Sequence, residues 1–226
     1  MSEANKGRCH YCNGIFSKTV MKKHLDTCNV RIEKDKPGTD GSDGETYFCI
    51  LVQGFDLPEY WMYVDISANA TLKVLDGFLR ETWLECCGHL SSFEIAGVIY
   101  ASNPDKSSGD KSMSIKLNAV LEERMQFLHE YDFGSTTTLK LKIVSIHSGK
   151  KRRQKFEIVA RNLAPEIKCS KCGKLATQVC CECIYEEEGW LCDNCAETHE
   201  CGEEMLLPVV NSPRVGVCAY CGNEDE

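Results

Sequence analysis

Pairs of cysteines separated by two residues recur along this chain, and their type and spacing point to metal chemistry. The sequence contains 16 cysteines. A CxxC pair lets two thiolates face one ion from a tight turn, whereas a disulfide within such a pair is strained. Zinc ligation is therefore favoured over a disulfide framework.

The first candidate ligand set lies near the N-terminus and consists of Cys9, Cys12, His24 and Cys28. Its spacing is close to that of a ββα zinc finger whose final histidine is replaced by cysteine. The four-residue step from His24 to Cys28 places both side chains on one helix face. We predict one zinc ion here, which holds residues 1–33 as a finger because about 30 residues cannot bury a sufficient core.

The C-terminal segment offers further candidate ligands, and two closed zinc sites need eight of them. Their spacing resembles a B-box or related cross-brace, in which one site contains Cys169, Cys172, Cys192 and Cys195. The second site then begins with Cys180, Cys183 and His199 and is completed by Cys218, with Cys201 and Cys221 as alternatives. A rival arrangement puts all four CxxC pairs in two cysteine-only sites and leaves His199 and Cys201 free. The predicted total is three zinc ions.

Catalytic zinc sites have a different signature from these sets. They keep an open coordination position beside an acid or base, as in HExxH or HxE followed by a cysteine pair. Neither pattern occurs in the sequence. We therefore expect closed, structural zinc sites in a protein that is not an enzyme.

Charge is distributed in alternating blocks. Residues 1–36 and 139–168 carry net charges of +4 and +7, whereas residues 37–138 and 169–226 carry −10 and −9. The basic blocks supply two groups of candidate phosphate contacts, namely Lys18, Lys22 and Lys23 in the finger and Lys150, Lys151, Arg152 and Arg153 in a turn. Either group can equally be a solvated surface, so nucleic-acid binding is a hypothesis.

The elements that must position these residues are read from hydrophobic periodicity. Residues 34–45 predict a flexible linker, and YFCILVQGF and YWMYVDI predict a hairpin. Thr71 is expected to cap an amphipathic helix whose buried face carries Leu72, Leu75, Leu79 and Trp83. FEIAGVIY predicts one strand, MQFLHEY and TTTLKLKIVSIH an antiparallel pair, and FEIVA a last strand. Cys49, Cys86 and Cys87 are expected to be small buried residues, and His89 and His129 core residues.

The helix ATLKVLDGFL, the segment HLSSFEIAGVIY and the motif EYDFG carry a family resemblance. Over about residues 46–160 the chain resembles the Ri-plasmid open-reading-frame-three-like family, often labelled transposon-passenger proteins. The resemblance implies an α+β fold around an antiparallel sheet and no established activity. Ser135, Thr137 and Leu139 stand where the family usually has an acid, a tryptophan and a histidine, so we expect Asp132 and Gly134 to serve only the turn.

These observations predict an α+β domain over residues 46–163, flanked by the finger and by a zinc module over residues 164–226. The expected function is a non-enzymatic zinc-binding adaptor or regulator that contacts RNA, DNA or a nucleic-acid machine, together with an unidentified protein partner. The alternatives are a purely protein-binding scaffold and a mobile-element-associated enzyme of unknown chemistry. Without a secretory signal or a long apolar stretch, the protein is expected to be cytoplasmic and to contact no membrane. Oligomeric state is not encoded in any recognisable pattern.

Overall fold

The computed structural model describes residues 5–36, 44–105, 107–186 and 188–223. The strands are β1 (Lys6–Cys9), β2 (Ile15–Ser17), β3 (Gly44–Gly54), β4 (Trp61–Ser67), β5 (Ser91–Ile95), β6 (Val98–Ala101), β7 (Lys111–Ser112), β8 (Gln126–Tyr131), β9 (Thr137–Lys150), β10 (Phe156–Asn162), β11 (Gln178–Cys180), β12 (Trp190–Leu191) and β13 (Leu206–Pro208). The α-helices are α1 (Lys18–Thr27), α2 (Asn29–Asp35), α3 (Leu72–Leu79) and α4 (Asp193–Ala196). A π-helical turn spans Arg80–Leu84, and short 3₁₀ turns span Leu117–Ala119, Cys183–Glu186 and Glu203–Met205.

A ten-stranded sheet organises the chain in the order β2-β1-β10-β4-β3-β9-β8-β5-β6-β7. The neighbouring strands pair antiparallel, except that β6 and β7 run parallel. A second sheet has the order β12-β11-β13. The predicted α+β class is confirmed. The described residues contain no helix that is both long and apolar enough to cross a membrane.

Helix α3 covers one face of the large sheet. Thr71 caps it, since its hydroxyl accepts a hydrogen bond from the backbone N–H of Val74 at 3.3 Å. The face predicted to be buried is fully buried, with Leu72, Leu75, Leu79 and Trp83 in the main core. The helical period therefore identified the surface that packs on the sheet.

The predicted alternation of buried and exposed side chains along β9 is also observed. Leu139, Leu141 and Ile143 are buried, and Lys140 and Lys142 lie between them toward the opposite face.

The prediction of one strand for FEIAGVIY was wrong. The segment forms a hairpin in which Phe93 pairs with Tyr100 and Ile95 with Val98. Ala96 and Gly97 both have positive φ, 50° and 77°, as the two central residues of a type I′ turn require. An alanine before glycine is a weak turn signal, so the apolar run concealed the reversal.

The hairpin of the predicted finger continues the large sheet. Strand β1 pairs with β10 through Gly7 opposite Asn162 and Cys9 opposite Ala160. A methyl group on Gly7 would overlap the carbonyl oxygen of Arg161 and the indole ring of Trp61. The ββα unit is therefore packed directly against the central strands.

The predicted flexible linker, residues 34–45, overlaps two regular elements. Residues 34–35 belong to α2 and residues 44–45 to β3, and residues 37–43 lie outside the described part of the chain.

The C-terminal residues return to the main core. Val179 and Val215 join the apolar cluster formed around α3 and the large sheet. Ser212 and Arg214 are fully buried, and the Ser212 hydroxyl donates a hydrogen bond to the Trp83 carbonyl oxygen at 2.7 Å. The chain after the cysteine-rich segment is thus anchored on the π-helical turn that follows α3.

Candidate metal centres

The first predicted ligand set is brought together as one cluster. The ligand atoms of Cys9, Cys12, His24 and Cys28 all lie within 4.8 Å of one another, and Cys12 Sγ lies 3.3 Å from His24 Nε2. Around tetrahedral zinc, with Zn–S of about 2.3 Å and Zn–N of about 2.0 Å, neighbouring ligand atoms are about 3.5–3.8 Å apart. The donor set and its spacing fit one zinc ion.

Local structure explains this N-terminal cluster. The β1–β2 turn closes through the backbone N–H of Asn13, which donates to the Cys9 carbonyl, while Asn13 adopts φ 59°. Helix α1 presents His24, whose ring stacks on Phe16 with centroids 4.0 Å apart. Hydrogen bonding from the Gly14 backbone is the main effect that lowers the pKa of the Cys12 thiol, which favours the thiolate that zinc requires.

The second cluster joins two CxxC pairs from distant points of the C-terminal segment. Its members are Cys169, Cys172, Cys192 and Cys195, and Cys172 Sγ lies 3.5 Å from Cys192 Sγ. Burial would raise the pKa of Cys169, but backbone N–H groups, foremost that of Cys192, outweigh it and lower the pKa to about 6. Two of these donors, the N–H groups of Lys171 and Cys172, belong to the CxxC turn of Cys169 itself and stabilise its thiolate.

The third cluster contains Cys180, Cys183, His199 and Cys201. Cys183 Sγ lies 3.5 Å from Cys201 Sγ and 3.6 Å from His199 Nε2. A tight turn closed by Gly202 at φ 86° brings Cys201 back beside His199. The second and third clusters are interleaved along the chain, in the order that a cross-brace has.

Two sequence interpretations of the C-terminal ligands are corrected. Cys201 completes the third cluster in place of Cys218, because the chain beyond β13 leaves this module and enters the main core before it reaches Cys218. The rival arrangement, with His199 and Cys201 free, does not occur. Cys221 lies outside all of these clusters, with its Sγ 3.5 Å from the Ala219 carbonyl oxygen.

Three residues that the sequence predicted to be buried and not to bind metal lie beside Cys218, namely Cys86, Cys87 and His89. Cys87 is exposed and Cys86 half-buried, so the expectation of small buried residues fails for this loop. His89 is also partly exposed and is not a core residue. The sequence does hold a signal for this group, because the segment CCGH contains three potential metal ligands. Their spacing is not that of a CxxC pair, so the segment does not resemble a zinc motif. His129 does sit in the core, where its Nε2 lies 2.8 Å from Asp76 Oδ1.

A buried charge cluster explains another group of polar residues. Asp65 is fully buried, and its Oδ2 forms ion pairs with Arg31 Nη2 at 2.9 Å and Arg152 Nη2 at 3.1 Å. His147 Nε2 lies 3.4 Å from the same oxygen. Burial alone would raise the pKa of the Asp65 carboxyl, but the hydrogen bond with His147 and the two guanidinium charges hold it well below its usual range. Two arginines already supply the positive charge here, so this is a salt-bridge cluster.

The candidate phosphate contacts divide into engaged and exposed residues. Arg152 is mostly buried, bonded to Asp35 and Asp65 and stacked over Tyr47, so its predicted role as a phosphate contact is replaced by a structural one. Lys18 donates to Gln53 and to the Pro58 carbonyl oxygen. The remaining predicted contacts are exposed, namely Lys22, Lys23, Lys150, Lys151 and Arg153.

Comparison with known proteins leaves the function of these clusters unassigned. No protein-family model and no curated protein matches this sequence. A crystal structure of a protein of unknown function, MM3350 from Methanosarcina mazei Go1, is similar with a TM-score of 0.46 and 18% identity. The match covers 52% of this chain and 69% of that one. A likeness of this size assigns no function.

Proposed function

We propose that this protein is a non-enzymatic, zinc-binding adaptor or regulator with zinc in all three predicted clusters. The carrying observation is that each cluster supplies four thiolate or imidazole ligands at the spacing of a closed tetrahedral site. Four protein ligands leave no position for a reacting water, which supports a structural role. The resemblance to the Ri-plasmid open-reading-frame-three-like family remains part of this proposal and adds no chemistry to it.

The metal assignment has a direct test in single-ligand variants. Cys12→Ser, Cys172→Ser and Cys183→Ser each remove one ligand from a different cluster. Each variant should lower the zinc content, measured by elemental mass spectrometry, by one ion per chain relative to the wild type. Iron in place of zinc, or variants that retain the full zinc content, would contradict the assignment.

We further propose that the partner includes nucleic acid, contacted through phosphates. Helix α2 packs on the turn between β9 and β10, since Arg152 Nη2 lies 2.8 Å from Asp35 Oδ1. The basic turn therefore adjoins α2, the helix that follows the finger, although more than 100 residues separate the two in sequence. Exposed lysines and arginines without base-reading geometry favour contacts that are independent of nucleotide sequence.

Neutralising the exposed turn residues tests the nucleic-acid proposal. The variant Lys150→Gln, Lys151→Gln, Arg153→Gln keeps Arg152, because that side chain holds the buried salt bridges. Each lost phosphate contact should flatten the slope of log affinity against log salt by about 0.7–0.9, so three should flatten it by about 2–3. Binding is measured by fluorescence anisotropy with labelled RNA and duplex DNA.

The matched control removes the same charge from exposed residues elsewhere: Lys73→Gln, Lys111→Gln, Lys116→Gln. It should leave the salt slope unchanged. An equal effect of both triple variants would indicate general charge attraction and contradict a defined surface. A wild type that binds neither nucleic acid at low salt would favour the protein-binding scaffold. Affinity capture from nuclease-treated and untreated lysates then separates direct protein partners from those bridged by nucleic acid.

A further inference from the structure

A fourth set of ligand atoms meets where the C-terminal segment touches the large α+β unit. The ligand atoms of Cys86, Cys87, His89 and Cys218 all lie within 4.8 Å of one another. Cys218 Sγ lies 3.8 Å from Cys87 Sγ and 3.6 Å from His89 Nε2. These lengths are close to the edges of about 3.8 and 3.5 Å that zinc imposes on sulfur–sulfur and sulfur–nitrogen pairs. A disulfide, with sulfurs about 2.05 Å apart, is not formed.

The loop that carries three of these ligands is held in place by hydrogen bonds to the Tyr131 side chain. The backbone N–H groups of Cys86 and His89 donate to the Tyr131 hydroxyl at 3.4 and 3.3 Å. That hydroxyl in turn donates to Glu85 Oε1, which also accepts the N–H of Gly88. One buried tyrosine thus fixes the loop so that two thiols and an imidazole face the same point.

Groups around the cluster match the outer shell of a metal site. His89 Nδ1 lies 3.6 Å from Asp132 Oδ1, which leaves Nε2 directed at Cys218. A carboxylate beside the other ring nitrogen is the usual way in which a ligating histidine is oriented. Arg214 Nη2 donates to Cys86 Sγ at 3.4 Å and to Asp132 Oδ2 at 2.7 Å. Its guanidinium offsets the negative charge that three thiolates leave around a divalent ion.

The backbone at Cys218 is also specialised. Cys218 has φ 57°, a left-handed conformation that costs a non-glycine residue energy. This conformation turns its side chain toward the loop, and the buried Tyr220 anchors the chain just beyond it. An uncommon backbone state at the one ligand contributed by the C-terminal segment is consistent with a metal bond that offsets its cost.

We propose that Cys86, Cys87, His89 and Cys218 form a fourth zinc site, which clamps the C-terminal segment onto the loop before β5. The site connects residues 131 apart in the sequence. Two of its cysteines are exposed and none of its ligands is buried. The first and second clusters each contain two buried cysteines, and the third contains one buried and three half-buried ligands. The fourth ion is therefore the most accessible and should be the first that a chelator removes.

Zinc content and single-ligand variants test the fourth site. Wild-type protein should contain four zinc ions per chain, one for each Cys/His cluster. Cys87→Ser and Cys218→Ser should each contain three. Cys221→Ser is the matched control, because it removes a neighbouring thiol that lies outside the cluster, and it should keep four. Cys87 is exposed in a loop, so its variant should fold even if Cys218→Ser does not.

Two further readouts separate a clamp from incidental thiols. Hydrogen exchange over residues 215–223 should be faster in Cys87→Ser than in wild type and unchanged in Cys221→Ser. With a colorimetric chelator, wild type should release one equivalent of zinc in an early phase that Cys87→Ser lacks. A wild-type content of three ions, or full zinc in both Cys87→Ser and Cys218→Ser, would overturn the site, as would loss of zinc from Cys221→Ser alone. The tests of the other three clusters and of the basic turn use different variants, so failure of the fourth site would leave their results unchanged.

Discussion

Replacement of Arg214 by methionine is the sharpest test of how the C-terminal segment is held. The Arg214 side chain is fully buried and Asp132, its ion-pair partner at 2.7 Å, has a side chain 8% exposed. Arg214 Nη1 also donates to the Ser135 carbonyl and the Thr137 hydroxyl, and the guanidinium stacks over Tyr131. Methionine fills similar volume but leaves the carboxylate buried without its cation.

The expected cost follows from that unpaired charge. Breaking a buried ion pair by removing one partner lowers the free energy of unfolding by about 3–5 kcal/mol. Asp132→Asn is the suitable second variant because asparagine tolerates the φ of 64° and keeps the oxygen that accepts from the Gly134 and Ser135 backbones. In the double variant no charge is stranded, so the Arg214→Met cost should fall by about 1.5–3 kcal/mol.

The assay is urea unfolding followed by tryptophan fluorescence, with zinc held in slight excess so that all variants remain metal-loaded. Coincident transitions by fluorescence and circular dichroism are required before free energies are compared. An Arg214→Met cost below about 1 kcal/mol would refute the buried ion pair, as would single-variant costs that add within about 0.5 kcal/mol.

Two further stability predictions concern other parts of the molecule. Gly7→Ala should cost about 1–3 kcal/mol by thermal unfolding, because its methyl group meets backbone and an indole ring, whereas Gly44→Ala, which meets open space, should be nearly neutral. Asp65→Asn should cost about 3–5 kcal/mol at neutral pH, because it removes the fully buried carboxylate that Arg31 and Arg152 share. The folded pKa of Asp65 is depressed, so its stabilisation is present above the unfolded value of about 3.9 and is lost as the pH falls below it. The stability difference between wild type and Asp65→Asn should therefore shrink as the pH falls below about 4; a difference that stays unchanged from about pH 5 to about pH 2 would contradict this assignment.

Local patterns predicted a large part of this structure. The period of α3, its Thr71 cap and the alternation along β9 are properties of short segments, so sequence alone was sufficient for them. The residues of two ligand clusters and three members of the third were named for the same reason, since CxxC spacing is local. The pairing of Cys201 with Cys183 was left among several alternatives because ligand choice depends on how distant turns meet.

The errors share a different cause. Lysines and arginines in a turn look alike in sequence, and only the fold shows that Arg152 is directed inward onto Asp65 while Arg153 is exposed. The loop containing Cys86, Cys87 and His89 has no ligand spacing of its own, and its fourth partner comes from the far end of the described chain. Such groupings are long-range, so periodicity carries no information about them.

The pairing of β1 with β10 has a consequence for the time course of folding. These strands lie about 150 residues apart, and the Ser212 contact with Trp83 spans 129. Long loops are closed slowly, whereas the ligands from Cys9 to Cys28 are close in sequence and can gather around an ion at once. We expect refolding to show an early phase that depends on zinc concentration and a later one that does not. Between them the unpaired edge of β10 is available to other chains, so newly made protein should be most prone to aggregation after it has taken up metal and before its sheet is complete.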